Sequence, residues 1–133
     1  MHIHRFKRPA RLLGVMFVLA ALLLLTAACG ASARQGTLKF SEVSLTSEPA
    51  QPAAGQEAKL IATVDNEKYA ALEAEVQFQI NAKSELPSLI DAVREGDAYV
   101  SPYTFPSAGA YTITIHMNYE DEHFSFTRQL EVQ

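Results

Sequence analysis

Beyond residue 37 the chain alternates apolar and polar positions with a period of two. Ala58, Leu60, Ala62 and Val64 share one parity around Lys59, Ile61 and Thr63. Ala74, Val76, Phe78 and Ile80 alternate with Glu75, Gln77 and Gln79, and Tyr111, Ile113, Ile115, Met117 and Tyr119 alternate with Thr112, Thr114, His116 and Asn118. In the last run Phe124, Phe126, Leu130 and Val132 hold one parity, interrupted by Arg128. Successive side chains of a strand point to opposite faces, so each run predicts a strand with one buried and one solvated face. Residues 37–46 predict a further strand whose phase shifts. Leu38 and Phe40 have one parity, Val43 and Leu45 the other, as at a bulge or in a strand that changes sheets.

Between these runs lie residues 47–55 (SEPAQPAAG), 65–68 (DNEK) and Glu120-Asp121, all of them turn chemistry. Residues 84–94 (SELPSLIDAVR) are ambiguous: Leu89, Ile90 and Val93 have helix-compatible spacing after Pro87 and Ser88, yet a proline also suits an edge strand. We read them as irregular structure with an edge strand. About seven short strands with one wet face each predict an all-β, antiparallel β-sandwich.

The first 36 residues have a different composition. Residues 1–11 carry Arg5, Lys7, Arg8 and Arg11 and no acid; residues 12–25 are almost wholly apolar; Thr26-Ala27-Ala28-Cys29-Gly30 follows. This charged, apolar, small-residue order is that of a secretory signal peptide. With the chain's single cysteine at the cleavage point, it resembles the signal of a bacterial lipoprotein, although Thr26 stands where that pattern prefers leucine. The resemblance implies that the Cys29 thiol takes a diacylglyceryl (palmitate-bearing) group and that the chain is cut just before it. The alternative is an uncleaved membrane anchor, since the 17 residues 12–28 are uncharged, at the lower edge of what spans a bilayer. The expected organisation is a signal peptide over 1–28, a lipidated cysteine with a short tether over 29–36, and a sandwich domain over 37–133. A third reading is plain secretion with a free thiol, and all three place residues from about 30 onward on the extracytoplasmic side of the cell membrane.

Charge narrows the partners. All 15 acids lie after Cys29, with only seven of the 11 cations, so the mature chain has a net charge near −8. Such a domain repels nucleic acid and anionic lipid. With Cys29 acylated no disulfide can form within the domain, and its stability has to come from packing.

Residues 105–113 (FPSAGAYTI) are similar to the segment leading into the sixth strand of an immunoglobulin-like sandwich, where a Pro-x-x-Gly-x-Tyr turn lets the tyrosine hydroxyl bond back to the backbone. Pro106, Gly109 and Tyr111 are the residues of that structural turn, and Ile113 stands where an antibody domain has cysteine. Together with residues 60–65, 74–78, 96–99 and 105–116, this resembles the YtkA-like family of bacterial extracytoplasmic domains, related in fold to FixH-type proteins. The resemblance implies an association with respiratory oxidase assembly and, through it, with copper; it brings no catalytic residues.

No enzyme is expected. The serines lie in loops or on wet faces with no Gly-x-Ser-x-Gly turn, and no acid run has the spacing of a calcium loop. His116 and His123, the only histidines after Cys29, share the solvated parity. If Glu120-Asp121 is a two-residue turn, Asn118 pairs with His123 and His116 is its diagonal neighbour, roughly 7–8 Å away at Cα. Two imidazoles at that spacing, with Asp121 or Glu120, can hold a transition metal such as copper; the competing reading is two ordinary surface histidines. Met117 faces the core, and Tyr69, Tyr99 and Tyr103, the remaining candidates for a recognition surface, are expected to pack inside. The expected function is therefore a lipid-anchored, non-catalytic binding or scaffolding module of the cell envelope, held to the membrane through Cys29 and serving an envelope protein partner. The alternative is a copper carrier or sensor.

Overall fold

The computed structural model describes residues 37–133, in which Leu38–Gln133 form a compact unit. Seven strands form: β1 (Val43–Glu48), β2 (Glu57–Val64), β3 (Glu75–Ala82), β4 (Ser88–Glu95), β5 (Ala98–Thr104), β6 (Gly109–Asn118) and β7 (His123–Val132). A short helix, α1 (Glu67–Ala71), lies between β2 and β3. All pairings are antiparallel, in the order β1-β2-β5-β4-β3-β6-β7. Register follows the hydrophobic parity, because a slip of one residue would turn every core side chain to solvent. Leu60, Ala62, Phe78, Ile113, Ile115 and Met117 are fully enclosed, and every strand except β4 contributes a buried residue to one apolar cluster. This is the all-β, antiparallel sandwich that the alternation predicts.

β4 corrects the reading of residues 84–94. It is neither irregular nor an edge: Ser88 to Ala92 pair with β3 and Val93 to Glu95 pair with β5, so one strand carries the chain from one sheet to the other. Neither face of β4 is fully covered. Its burial alternates between half-buried and exposed, with Leu89 56% and Val93 68% exposed. The helix-like spacing of Leu89, Ile90 and Val93 reflects this sparse cover and not a helical face.

Two further corrections concern polar residues near the start of the domain. The phase shift in residues 37–46 is a 3-10 turn, Phe40–Glu42, ahead of β1. The Glu42 carboxylate closes it by accepting the Lys39 N–H at 2.8 Å and the Asn66 amide at 3.0 Å, which holds that carboxyl below its usual pKa. Residues 65–68 are not a simple turn either: Asn66 caps α1, its side chain accepting the Tyr69 N–H at 3.2 Å. The same Asx chemistry serves turns and helix starts, so the residue type alone does not separate them. Arg94 covers the other end of α1 by donating to the carbonyls of Ala70 and Leu72, a favourable place for a cation.

The turn into β6 forms as its motif predicts. The Tyr111 hydroxyl donates to the Ser107 carbonyl at 2.8 Å and accepts the Ser107 N–H at 3.3 Å. Gly109 opens β6 at a φ of +134°, which a side chain would strain. Phe105 sits beneath, fully buried, its ring 4.8 Å from both Tyr103 and Tyr111 in edge-to-face contact. Tyr69 and Tyr99 are also buried and Tyr103 packs against the core, as expected of them.

The terminal strands β1 and β7 are not paired, and the gap is bridged at two levels. At one end, Ala54 N–H donates to the Gln133 carbonyl and Gln133 N–H to that of Pro52, at 2.7 and 2.9 Å. Further along, Arg128 lies on the inward parity of β7 and crosses to the β1 side. It donates to the carbonyls of Phe40, at 2.6 Å, and Val43, and lies 3.6 Å above the Phe40 ring.

Candidate functional site

The hairpin of β6 and β7 carries the candidate residues. Asn118 pairs with His123 and His116 with Ser125, and Tyr119 N–H donates to the Glu122 carbonyl at 2.8 Å. Glu120 and Asp121 therefore form the two-residue turn that the sequence reading assumed. The even parity of β6 and the odd parity of β7 put both histidines on the outer face. Their rings stack with centroids 5.8 Å apart and planes inclined by 22°, while Met117 is enclosed on the opposite face.

A chain of side-chain hydrogen bonds runs across this face. Gln79 Nε2 reaches Asn81 Oδ1 at 3.4 Å, and Gln79 Oε1 lies 3.0 Å from His116 Nε2. His116 Nδ1 is 3.0 Å from the Ser125 hydroxyl, which lies 3.1 Å from His123 Nε2; His123 Nδ1 meets Asn118 Oδ1 at 2.5 Å. Sequence reasoning missed Gln79, Asn118 and Ser125 as parts of the site. The hairpin register alone puts Ser125 opposite His116 and so could have found it, whereas Gln79 enters only through the pairing of β3 with β6.

The turn acids have separate roles. Glu122 is tied down, accepting from the Tyr69 hydroxyl at 2.6 Å and lying 3.8 Å from the Lys68 ammonium. Glu120 lines a cleft of about 520 Å³ with Glu73, Glu75, Asn118 and Tyr119. Asp121 is exposed at the tip. Among the described residues, no group of three His, Cys, Asp or Glu side chains is arranged to hold a metal, so Asp121 does not complete a three-ligand set with the histidines. Cys29 lies outside the described residues.

Burial, and then the bond to Glu122, push the Tyr69 phenol from 10 up to about 12; burial also raises Tyr119 to about 12. The native state therefore favours the neutral phenols. Their stabilisation is complete below pH 10 and is lost as the pH rises through 12. Thermal melts between pH 9 and 11.5 are expected to show a falling midpoint, and a shallower fall in Tyr69→Phe; parallel curves for the two proteins would refute the assignment.

Ser125, His123 and Asn118 are spaced like a nucleophile, a base and its orienting group. Backbone N–H groups of a strand lie in the plane of the sheet, however, and side chains stand perpendicular to it. No backbone donor therefore aims at an oxyanion above Ser125, and the arrangement does not support acyl transfer.

The chain matches no family model and no curated protein. It is similar to the crystal structure of an engineered protein, with a TM-score of 0.52 and 16% sequence identity over 68% of this chain and 20% of that one. The similarity is one of fold. The chain spans about a fifth of that protein's length. Among the described residues no helix is long and apolar enough to cross a membrane.

Proposed function

We propose that this protein is a lipid-anchored binding or scaffolding module of the bacterial cell envelope, related to the YtkA-like and FixH-type domains, with its sandwich on the extracytoplasmic side. The observation that carries the reading is the position of Cys29, which ends a basic, apolar and small-residue segment and is separated from residue 37 by seven residues. A tether of that length reaches at most about 25 Å when extended, so a domain starting at Leu38 stays close to the bilayer. Binding, rather than catalysis, is supported by the outer surface of β4 and the loop before it. Leu86 is 91% exposed there, and Leu89 and Val93 are exposed on the outward parity of β4 on either side of Asp91; large apolar side chains exposed among polar ones support a contact surface.

Metabolic labelling with radioactive palmitate tests the anchor. Label is expected in the wild-type protein and not in Cys29→Ala, whose product should leave the membrane fraction if the signal is still cut or remain there unlabelled if it is not. Equal label in both proteins would refute the proposal.

A further inference from the structure

The four hydrogen bonds around Ser125 cannot all be made by two neutral imidazoles. Gln79 is oriented by its own NH2 group, which donates to Asn81, so its carbonyl oxygen faces His116 and requires a proton on His116 Nε2. Asn118 presents Oδ1 to His123 and requires a proton on His123 Nδ1. The two rings are thus held in opposite tautomers. Each turns its bare nitrogen, His116 Nδ1 and His123 Nε2, toward the same hydroxyl oxygen. That hydroxyl has a single proton to donate. One of the two converging lone pairs is left without a donor in the protein, and on this exposed face a water, a proton or a metal cation satisfies it.

We propose that His116 Nδ1 and His123 Nε2 form a two-imidazole chelate for a divalent transition cation, of the Cu(II), Ni(II) or Zn(II) class. The site goes beyond the anchored binding module and does not depend on it. Metal-ligating histidines characteristically donate their second ring N–H to a carbonyl or carboxylate oxygen, which fixes the tautomer and raises ligand basicity; Gln79 and Asn118 provide that oxygen for each ring. The two ligand nitrogens are separated by no more than the sum of their contacts with Ser125 Oγ, about 6.1 Å. A cation at about 2.0–2.1 Å from each nitrogen requires them to close to at most about 4 Å. Small rotations of two outward-facing side chains accomplish this, with the Ser125 hydroxyl turning aside or contributing a weak oxygen ligand. Imidazole ligation follows the Irving–Williams order, so Cu(II) binds most tightly. Two protein nitrogens leave the remaining positions to water or to a partner's groups, which suits a cation that is passed on rather than retained.

The test is calorimetric titration of CuCl2 into the full chain in detergent micelles, for the wild type, His116→Ala, His123→Ala and Ser125→Ala. His2 and His4 are common to all four proteins and contribute the same background, whether or not the signal has been removed. Each histidine substitution is expected to weaken the site about tenfold or more, while Ser125→Ala, which keeps both lone pairs converging, stays within about threefold of wild type. Nitrogen-15 spectra without metal are expected to show His116 as the Nε2–H tautomer and His123 as the Nδ1–H tautomer. Equal affinity in all four proteins would overturn the proposal, as would two histidines in the same tautomer. Unchanged thermal midpoints in the variants establish that a lost affinity is not lost folding.

Discussion

Phe105→Ala is expected to cost about 3–5 kcal/mol of folding stability, the range for removing a buried aromatic ring. Phe105 has no exposed surface, and two tyrosine rings meet it edge to face at 4.8 Å. Truncation removes the transfer free energy of the ring and both aromatic contacts, and it leaves a cavity that β5 and β6 cannot collapse to fill. Tyr103 and Tyr111 are each held by their own strand, and Tyr111 also by its bonds to Ser107. The Phe105 carbonyl accepts the Gly55 N–H at 2.9 Å, so a shift in the backbone there would also disturb the loop before β2. Against a typical total of about 5–15 kcal/mol, this is a large fraction. Urea denaturation should show the midpoint falling steeply. Tyr111→Phe is the useful comparison: it keeps the ring and loses only hydroxyl bonds, and is expected to cost about 1 kcal/mol. Equal costs for the two substitutions would mean that the turn, and not the packing beneath it, holds this end of the sandwich.

Arg128→Ala is expected to cost about 2–3 kcal/mol. A hydrogen bond from a charged donor contributes about 1.5–3 kcal/mol, and Arg128 makes two across the gap, to Phe40 and Val43; partial exposure of the site reduces their sum. The arginine also covers the Phe40 ring, which is 62% exposed even so. Its guanidinium is partly buried, which lowers its pKa without bringing it near neutrality. Without this clasp the 10-residue edge of β7 loses its bridge to β1, and an open edge of that length is a template for aggregation. Amide exchange at Val43 and Leu45 should quicken more than at Leu60. Arg128→Lys is expected to recover less than half of the loss, because a point charge cannot reach both carbonyls as the planar fork does. Wild-type stability in Arg128→Ala would show that the backbone bonds of residues 52–54 with Gln133 suffice to close the gap.

Arg128 shows where sequence reading stops. In the alternation of β7 it is only an interruption, and nothing within several residues tells whether it is a flaw or a bridge. Its partners are more than eighty positions away. The same holds for Gln79, which lies 37 positions from the histidine it orients. By contrast, the stacked histidines are only seven positions apart across a two-residue turn, and their placement followed from parity and turn length alone.

The sequence by itself determined which faces of β2, β3, β6 and β7 are buried, the register of the β6–β7 hairpin and the tyrosine-locked turn at Ser107. These depend on near neighbours, because backbone geometry fixes where a side chain points two or three residues on. Only the tertiary structure decided that β4 bridges the two sheets, that Asn66 starts a helix, that Arg128 closes the barrel-like gap, and that Gln79 and Asn118 turn two surface imidazoles toward one oxygen. Each of these brings together segments that the chain separates. Such contacts are set by how distant strands pack in space, and no local period records that.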